Sequence, residues 1–291
     1  MTRLNLYLFV LLLPAMLGAS RTAHAAASYD NCTDTITSLP AVISSPGTYC
    51  LKADLSTANV SGNAITINSN DVTIDCNDFK LGGLAAGLAT LGTGISATDR
   101  FNITVRHCNI RGFYVGTDIS SSTASSGGGH VIEDNRFDGN TYIAIEVHGD
   151  GSVVRRNRVF NSGGSTWIPD AFGIDASYSV DVLDNTVSQV VARVGGNGFA
   201  IGIEVSSNPN GRIIGNGVRG LAEDGTGKAY GIFTGADRLT LRNNDVVGDS
   251  NPASYGLICS STNSRAMDNT ISGFATARSV CNDSGGNVVI P

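Results

Sequence analysis

Apolar residues alternate with polar ones in short runs of four to six along most of the chain, and no run keeps a helical period. Three of these runs repeat one phrase: Ala144-Ile145-Glu146-Val147, Gly173-Ile174-Asp175-Ala176 and Gly202-Ile203-Glu204-Val205. Their isoleucines recur every 29 residues, at 145, 174 and 203. Alternation with period two predicts strands with one face in and one face out, and a fixed period of this length marks a solenoid. The first strand of each coil is expected around Ile65, Ile95, Thr117 or Ile119, Ile145, Ile174, Ile203, Ile232 and Leu257. Second strands follow at Val72-Thr-Ile74, Ile103-Thr-Val105, Val131-Ile132, Val153-Val154, Val180-Asp-Val182, Ile213-Ile214, Leu239-Thr-Leu241 and Arg265-Ala-Met267.

An asparagine column separates the second strand from a third. It runs Asn77, Asn135, Asn157, Asn185, Asn216, Asn244 and Asn269, with Cys108 standing in once. Two residues later an apolar side chain always returns, from Phe79 and Ile110 to Val246 and Ile271. Asparagine tolerates left-handed backbone better than other non-glycine residues, as a sharp bend requires. Amides stacked at ~4.8 Å can also bond to one another. The fold expected is all-β: a single-stranded parallel β-helix of three sheets and about eight coils over residues 62–291. Residues 28–61, with Pro40, Pro46 and Gly47 forming a turn, are expected to cap its first coil.

Residues 1–27 read as a secretory signal peptide, with Arg3, the apolar run Leu4 to Leu17, and a small-x-small step at Ala23-His24-Ala25. No later segment holds the ~18 apolar residues of a membrane span. The expected location is secreted or periplasmic. Losing Arg3 and Arg21 moves the net charge from −6 to −8, and only Lys52, Lys80 and Lys228 are lysines. Such a surface argues against nucleic acid and anionic membranes. The six cysteines have no metal-type spacing and read as bridges: Cys32–Cys50 in the cap, Cys76–Cys108 between neighbouring coils, and Cys259–Cys281 one coil apart.

The asparagine turn, the coils of 22 to 31 residues, and the opening Pro46-Gly-Thr-Tyr-Cys-Leu51 with Val72-Thr-Ile-Asp-Cys-Asn77 resemble a known family. It is that of the exported right-handed parallel β-helix proteins of the pectate-lyase-like superfold. The resemblance implies loops leaning over the first sheet, with polysaccharide bound there. The motifs of its polygalacturonases (Asn-Thr-Asp, Asp-Asp, Gly-His-Gly, Arg-Ile-Lys), of its pectate lyases and of its alginate epimerases do not occur in this sequence. Neither does a Gly-x-Ser-x-Gly elbow.

The outward column of the first sheet then carries Glu146, Asp175 and Glu204 as candidate catalytic residues, extended by Asp118 if Tyr114-Val-Gly-Thr-Asp118 aligns with Tyr142-Ile-Ala-Ile-Glu146. Neighbours ~5 Å apart and alternates ~10 Å apart bracket the carboxylate spacings of retaining and inverting glycosidases. Asp175, in the middle, is expected to have the most raised pKa and to be the general acid. Trp167, Arg193 and Lys228 in the overlying loops, with His148 beside Glu146, are candidate substrate contacts. Arg193 is cast as a stabiliser of developing charge.

Two other readings of the column stay open: a calcium site and a solvated strand face. Beside the enzyme stand a non-catalytic surface or glycan-binding β-helix and a phage-type receptor-binding spike. A monomer is expected; the spike would be a trimer. No cofactor is expected beyond calcium.

Overall fold

The computed structural model describes residues 31–207 and 210–290; the signal-peptide expectation for residues 1–27 lies outside them. Three parallel sheets, one of eleven strands and two of ten, wind around a continuous core. The first sheet runs from Ala41–Ile43 through Val115–Ser120, Ile143–His148, Ala171–Ser177 and Ala200–Ser206 to Thr276–Ser279. The second runs from Asp34–Ile36 to Asn282–Asp283, and the third from Leu55–Ser56 to Val288–Ile290. Each strand pairs with its counterpart one coil on, so the molecule is the parallel β-helix that the repeat predicts. The only helical turn among the described residues is the three-residue Leu84–Ala86. No helix among them is long and apolar enough to cross a membrane.

The segment expected to cap the helix adds strands to the same sheets. Ala41–Ile43 pairs with Asn63–Ile67, Gly47–Leu51 with Val72–Asp75, and Leu55–Ser56 with Lys80–Gly82. Outside Gly47–Leu51 lies the extra strand Asp34–Ile36. The three disulfides are Cys32–Cys50, Cys76–Cys108 and Cys259–Cys281, with Cα separations of 5.7, 4.7 and 4.9 Å. These are the expected pairs.

Inside, mostly isoleucine columns stack coil on coil: Ile95, Thr117, Ile145, Ile174, Ile203, Ile232 and Leu257 on the first sheet are all fully buried. The register places Thr117, not Ile119, in this column. Burying each large aliphatic side chain stabilises the fold by about 1.5–3 kcal/mol, and the column repeats that gain per coil.

At the second corner, Asn135, Asn157, Asn185, Asn216, Asn244, Asn269 and Asn287 form a ladder. Each Nδ2 donates to the next Oδ1 at 2.9–3.0 Å. The bend is carried elsewhere than expected. The left-handed residues are those just before the asparagines: Asp134, Arg156, Asp184, Gly215, Asn243, Asp268 and Gly286. Asparagine is selected at the corner for its buried amide, not for its backbone. Asn77 is itself left-handed, and its amide donates to the Leu51 carbonyl instead of joining the ladder.

Candidate functional site

Four carboxylates stack in register on the outward face of the first sheet. Asp118 partners Glu146, Glu146 partners Asp175, Asp175 partners Glu204, and Phe233 follows. The conditional alignment of Asp118 therefore holds, and Ser96 precedes it. Like charges directly opposite one another across strands are destabilising. The second sheet of this molecule obeys that rule: its outward column reads Asp75, Arg106, Glu133, Arg155. Those groups pair at 2.7–2.8 Å, Arg106 with Asp75 and Arg155 with Glu133. The first sheet breaks the rule four coils running.

All four carboxyls are pushed above their ordinary range, by burial first. Glu146 rises to about 8, with Asp118 and Asp175 adding repulsion after burial. Glu204 rises to about 7 through burial and then Asp175. Asp175 is raised by burial, and the charge of His148 works against the rise. Asp118 is raised by burial, against a hydrogen bond from Ser120 and the charge of His148. His148 Nε2 lies 3.7 Å from Glu146 Oε1, and both side chains are 22% exposed.

Glu146, His148 and Asp175 offer ligand atoms within 4.8 Å of one another. An imidazole nitrogen beside two carboxylates suits zinc or manganese better than the all-oxygen set calcium prefers.

An aromatic strip runs beside the acids. Tyr114 stacks on Tyr142 at 4.9 Å, and Tyr142 meets Phe172 edge-on at 5.5 Å. Further along, Phe199 stacks on Tyr230 at 6.2 Å and Tyr230 on Tyr255 at 5.3 Å. The Tyr142 hydroxyl is pushed up to about 12, by burial and then by Tyr114, Asp170, Asp175 and Glu146, so strip and column share one field.

The two columns coexist because strict alternation fails between them. Phe172, Ile201, Tyr230 and Tyr255 align in one column, and Asp175, Glu204, Phe233 and Ile258 in another three residues on. Gly173, Gly202 and Gly231 sit in the break, where an added Cβ would strike the next coil's glycine carbonyl and a valine of the third sheet. The sequence carries this signal as an aromatic residue just before Gly-apolar, in Phe172-Gly-Ile, Tyr230-Gly-Ile and Tyr255-Gly-Leu, a weaker pattern than the repeated acids.

The loop candidates fall into different places. Trp167 keeps 62% of its surface exposed, and its indole N–H donates to the Ala89 carbonyl at 2.8 Å. Arg193 Nη1 donates to the carbonyl oxygens of Thr166 and Ser165, at 2.5 and 3.5 Å. It braces the Trp167 loop. Lys228 Nζ lies 5.2 Å from the centre of the Tyr255 ring, among the aromatics. Asp170 accepts from the Phe199 N–H at 2.8 Å and ties the Trp167 loop to the next one.

No protein-family model matches the chain, and neither does any curated protein. Among solved structures it is similar to a double mutant of the tailspike protein of E. coli bacteriophage HK620, at 10% identity and a TM-score of 0.51. The match covers 88% of this chain and 59% of that one, so this chain spans little more than half of the tailspike's length. It is also similar to that tailspike in complex with a pentasaccharide, at 12% identity, a TM-score of 0.48, and coverage of 88% and 59%. A third likeness is to the A-module of a mannuronan C-5 epimerase from Azotobacter vinelandii, at 13% identity, a TM-score of 0.48, and coverage of 89% and 85%. The tailspike match at a TM-score of 0.51 is a likeness of fold, that of a parallel β-helix.

Proposed function

We infer that the outward face of the first sheet binds a polysaccharide and hydrolyses its glycosidic bonds, in a divergent member of the pectate-lyase-like superfold. The observation that carries this reading is the in-register stack Asp118, Glu146, Asp175, Glu204 with aromatic rings alongside. Fold likeness does not assign an activity; the chemistry of this face supports one. A glycosidase needs one carboxyl that keeps its proton near neutrality and a second that is ionised. Glu146, raised to about 8, keeps its proton at pH 7. Asp175 has His148 nearby to favour its anion.

The general-acid role therefore passes from Asp175 to Glu146. Strand neighbours ~5 Å apart match the carboxyl spacing of retaining enzymes, with Asp175 as nucleophile. Glu204 and Asp118 extend the face to sugars on either side. Tyr142 and Phe172 offer rings for sugar faces to stack on, and the exposed indole of Trp167 offers another. Three disulfides fit a secreted or periplasmic setting.

Release of reducing ends from a panel of neutral and acidic polysaccharides, with and without divalent cations, tests the reading. On a cleaved substrate, Glu146→Gln lowers kcat at least ~10²-fold with the fold intact. Tyr142→Ala weakens binding roughly 5- to 10-fold, on the order of 1 kcal/mol. Full activity in Glu146→Gln would sink the assignment.

The non-catalytic, glycan-binding alternative has its own support: two concavities, of about 520 and 300 Å3, lie on the third sheet, away from the carboxylate column of the first. Affinity electrophoresis in the same polysaccharides separates the two. Retardation that depends on Tyr142, without cleavage, favours the binding protein.

A further inference from the structure

The third sheet presents a second face of a different chemistry. Its outward side carries two columns, one reading Lys80, Asn109, Arg136, Arg158, Thr186, Gly217, the other Arg111, Asp138, Phe160, Ser188, Arg219. The short side chains of Thr186 and Ser188 form a floor. Arg158 and Phe160 stand on the coil before it and Arg219 on the coil after. The strands Arg158–Gly163, Thr186–Val191 and Gly217–Ala222 each carry a left-handed residue, at Asn161, Gln189 and Gly220, with φ values of 56, 54 and 65°, and Gln189 and Gly220 line the same hollow. The result is a concavity of about 520 Å3, within the range of small-ligand sites.

Its charge is out of keeping with the rest of the molecule. In a chain of net charge −6, the arginines of the second sheet, apart from Arg265 near its C-terminal end, each sit on a carboxylate: Arg106 on Asp75, Arg155 on Glu133, Arg212 on Asp181 and Arg242 on Asp268. Arg158 and Arg219 have no ion pair or hydrogen bond from their side chains to any described residue. Arg136, directly opposite Arg158, shares Asp138 with Arg111, at 3.6 and 3.2 Å. Three guanidinium groups thus surround one floor with one carboxylate near its edge. Stacked like charges are unfavourable without a counter-charge, and a guanidinium is a planar fork shaped for an oxyanion. Phe160, 41% exposed, supplies an apolar wall against which a sugar ring can lie.

We propose that this concavity is a binding site for an acidic saccharide, whose carboxylate or sulfate group is held between Arg158 and Arg219 with its ring against Phe160. The two arginines stand on strands two apart, ~10 Å between backbones, two residues out of register with each other, and both line the concavity, which puts one oxyanion within reach of the two long side chains. The site is independent of the carboxylate column, which repels such ligands, and does not rest on the hydrolase reading.

Calorimetric titration of the full chain tests it, with tetragalacturonate as the carboxylate probe, a sulfated chondroitin disaccharide as the sulfate probe, and uncharged maltotetraose as the reference. At least one anion is expected to bind with a Kd below about 1 mM, more weakly at about 200 mM than at about 50 mM salt. Arg158→Gln and Arg219→Gln each weaken that binding about tenfold or more, while Arg212→Gln leaves it unchanged. Both target residues are exposed on the sheet surface, and circular dichroism confirms that the variants fold. Binding by the uronate alone or the sulfate alone identifies the acidic group. Neither arginine belongs to the carboxylate column, so loss of binding in these variants is read separately from cleavage, and failure of the hydrolase reading leaves this result standing. Absence of binding by both anions overturns the proposal, as does wild-type affinity in both arginine variants or equal binding of maltotetraose.

Discussion

Glu146 shows at the scale of one residue what the stacking does. Its carboxyl moves from an ordinary 4.5 to about 8. Between those two values the unfolded chain has released the proton and the folded chain still holds it, so rising pH favours unfolding. The stability tied to this proton is complete below about pH 4.5 and lost by the time pH passes 8. Glu204 adds a smaller loss in the same direction, ending near pH 7. Glu146→Gln, which keeps the shape without the charge, is therefore expected to match the wild type near pH 4 and to exceed it at pH 8.5 by on the order of 1–2 kcal/mol. Urea denaturation at the two pH values measures this, and equal midpoint shifts at both would refute it. The expectation from sequence placed the peak of this effect on Asp175, which has a carboxylate on each side. Asp175 is raised too, by burial against the charge of His148, and Glu146 also has two carboxylate neighbours once Asp118 is in register.

At the scale of elements, repetition decides what a sequence can tell. The strands, the asparagine corner and the acidic column each recur at near-constant spacing, so their partners are legible in the sequence alone. Loop side chains occur once. Arg193, chosen as a cation for substrate, spends its donors on the backbone of the Trp167 loop, because an exposed loop with free carbonyls is the nearest acceptor. The asparagine column is legible in position and in one of the two causes read from it: the amides do bond along the stack, whereas the left-handed backbone falls on the residues just before them. Asn185 Nδ2 donates to Val154 O and Asn216 Oδ1, and its Oδ1 accepts from the N–H and Nδ2 of Asn157. Asn185→Ala leaves the Asn157 N–H and the Val154 carbonyl buried without these partners, at about 2–3 kcal/mol. If left-handed backbone were the reason for asparagine, Asn185→Gly would be harmless; the ladder predicts a loss as large as that of alanine. Thermal unfolding of the two variants distinguishes these causes.

At the scale of the whole molecule, each coil touches mainly its neighbours, so stability approximates a sum over coils and their interfaces. The corner column joins those coils by two kinds of link. From Asn135 to Asn287 it is a chain of amides. Toward the N-terminus it becomes covalent: Cys108 occupies the asparagine position, its N–H donates to Asn135 Oδ1 at 2.9 Å, and its sulfur is bonded to Cys76. The disulfide thus takes over where the ladder stops. Removing it with Cys76→Ala and Cys108→Ala should lower stability by about 2–4 kcal/mol and free the coils before Asn135 to exchange amide protons first. Pairing Cys76→Ala with Cys108→Asn restores an amide at the position the column calls for. That side chain can donate to Asn135 Oδ1, as each asparagine along the ladder does to the next, and should recover about 1–1.5 kcal/mol of the loss. The measurement is denaturant unfolding of the two double variants side by side, with hydrogen exchange locating the change. Recovery by asparagine but not by alanine would mean that disulfide and amide ladder serve the same corner. Equal stability of the two would show that the bond acts only by closing the loop between residues 76 and 108.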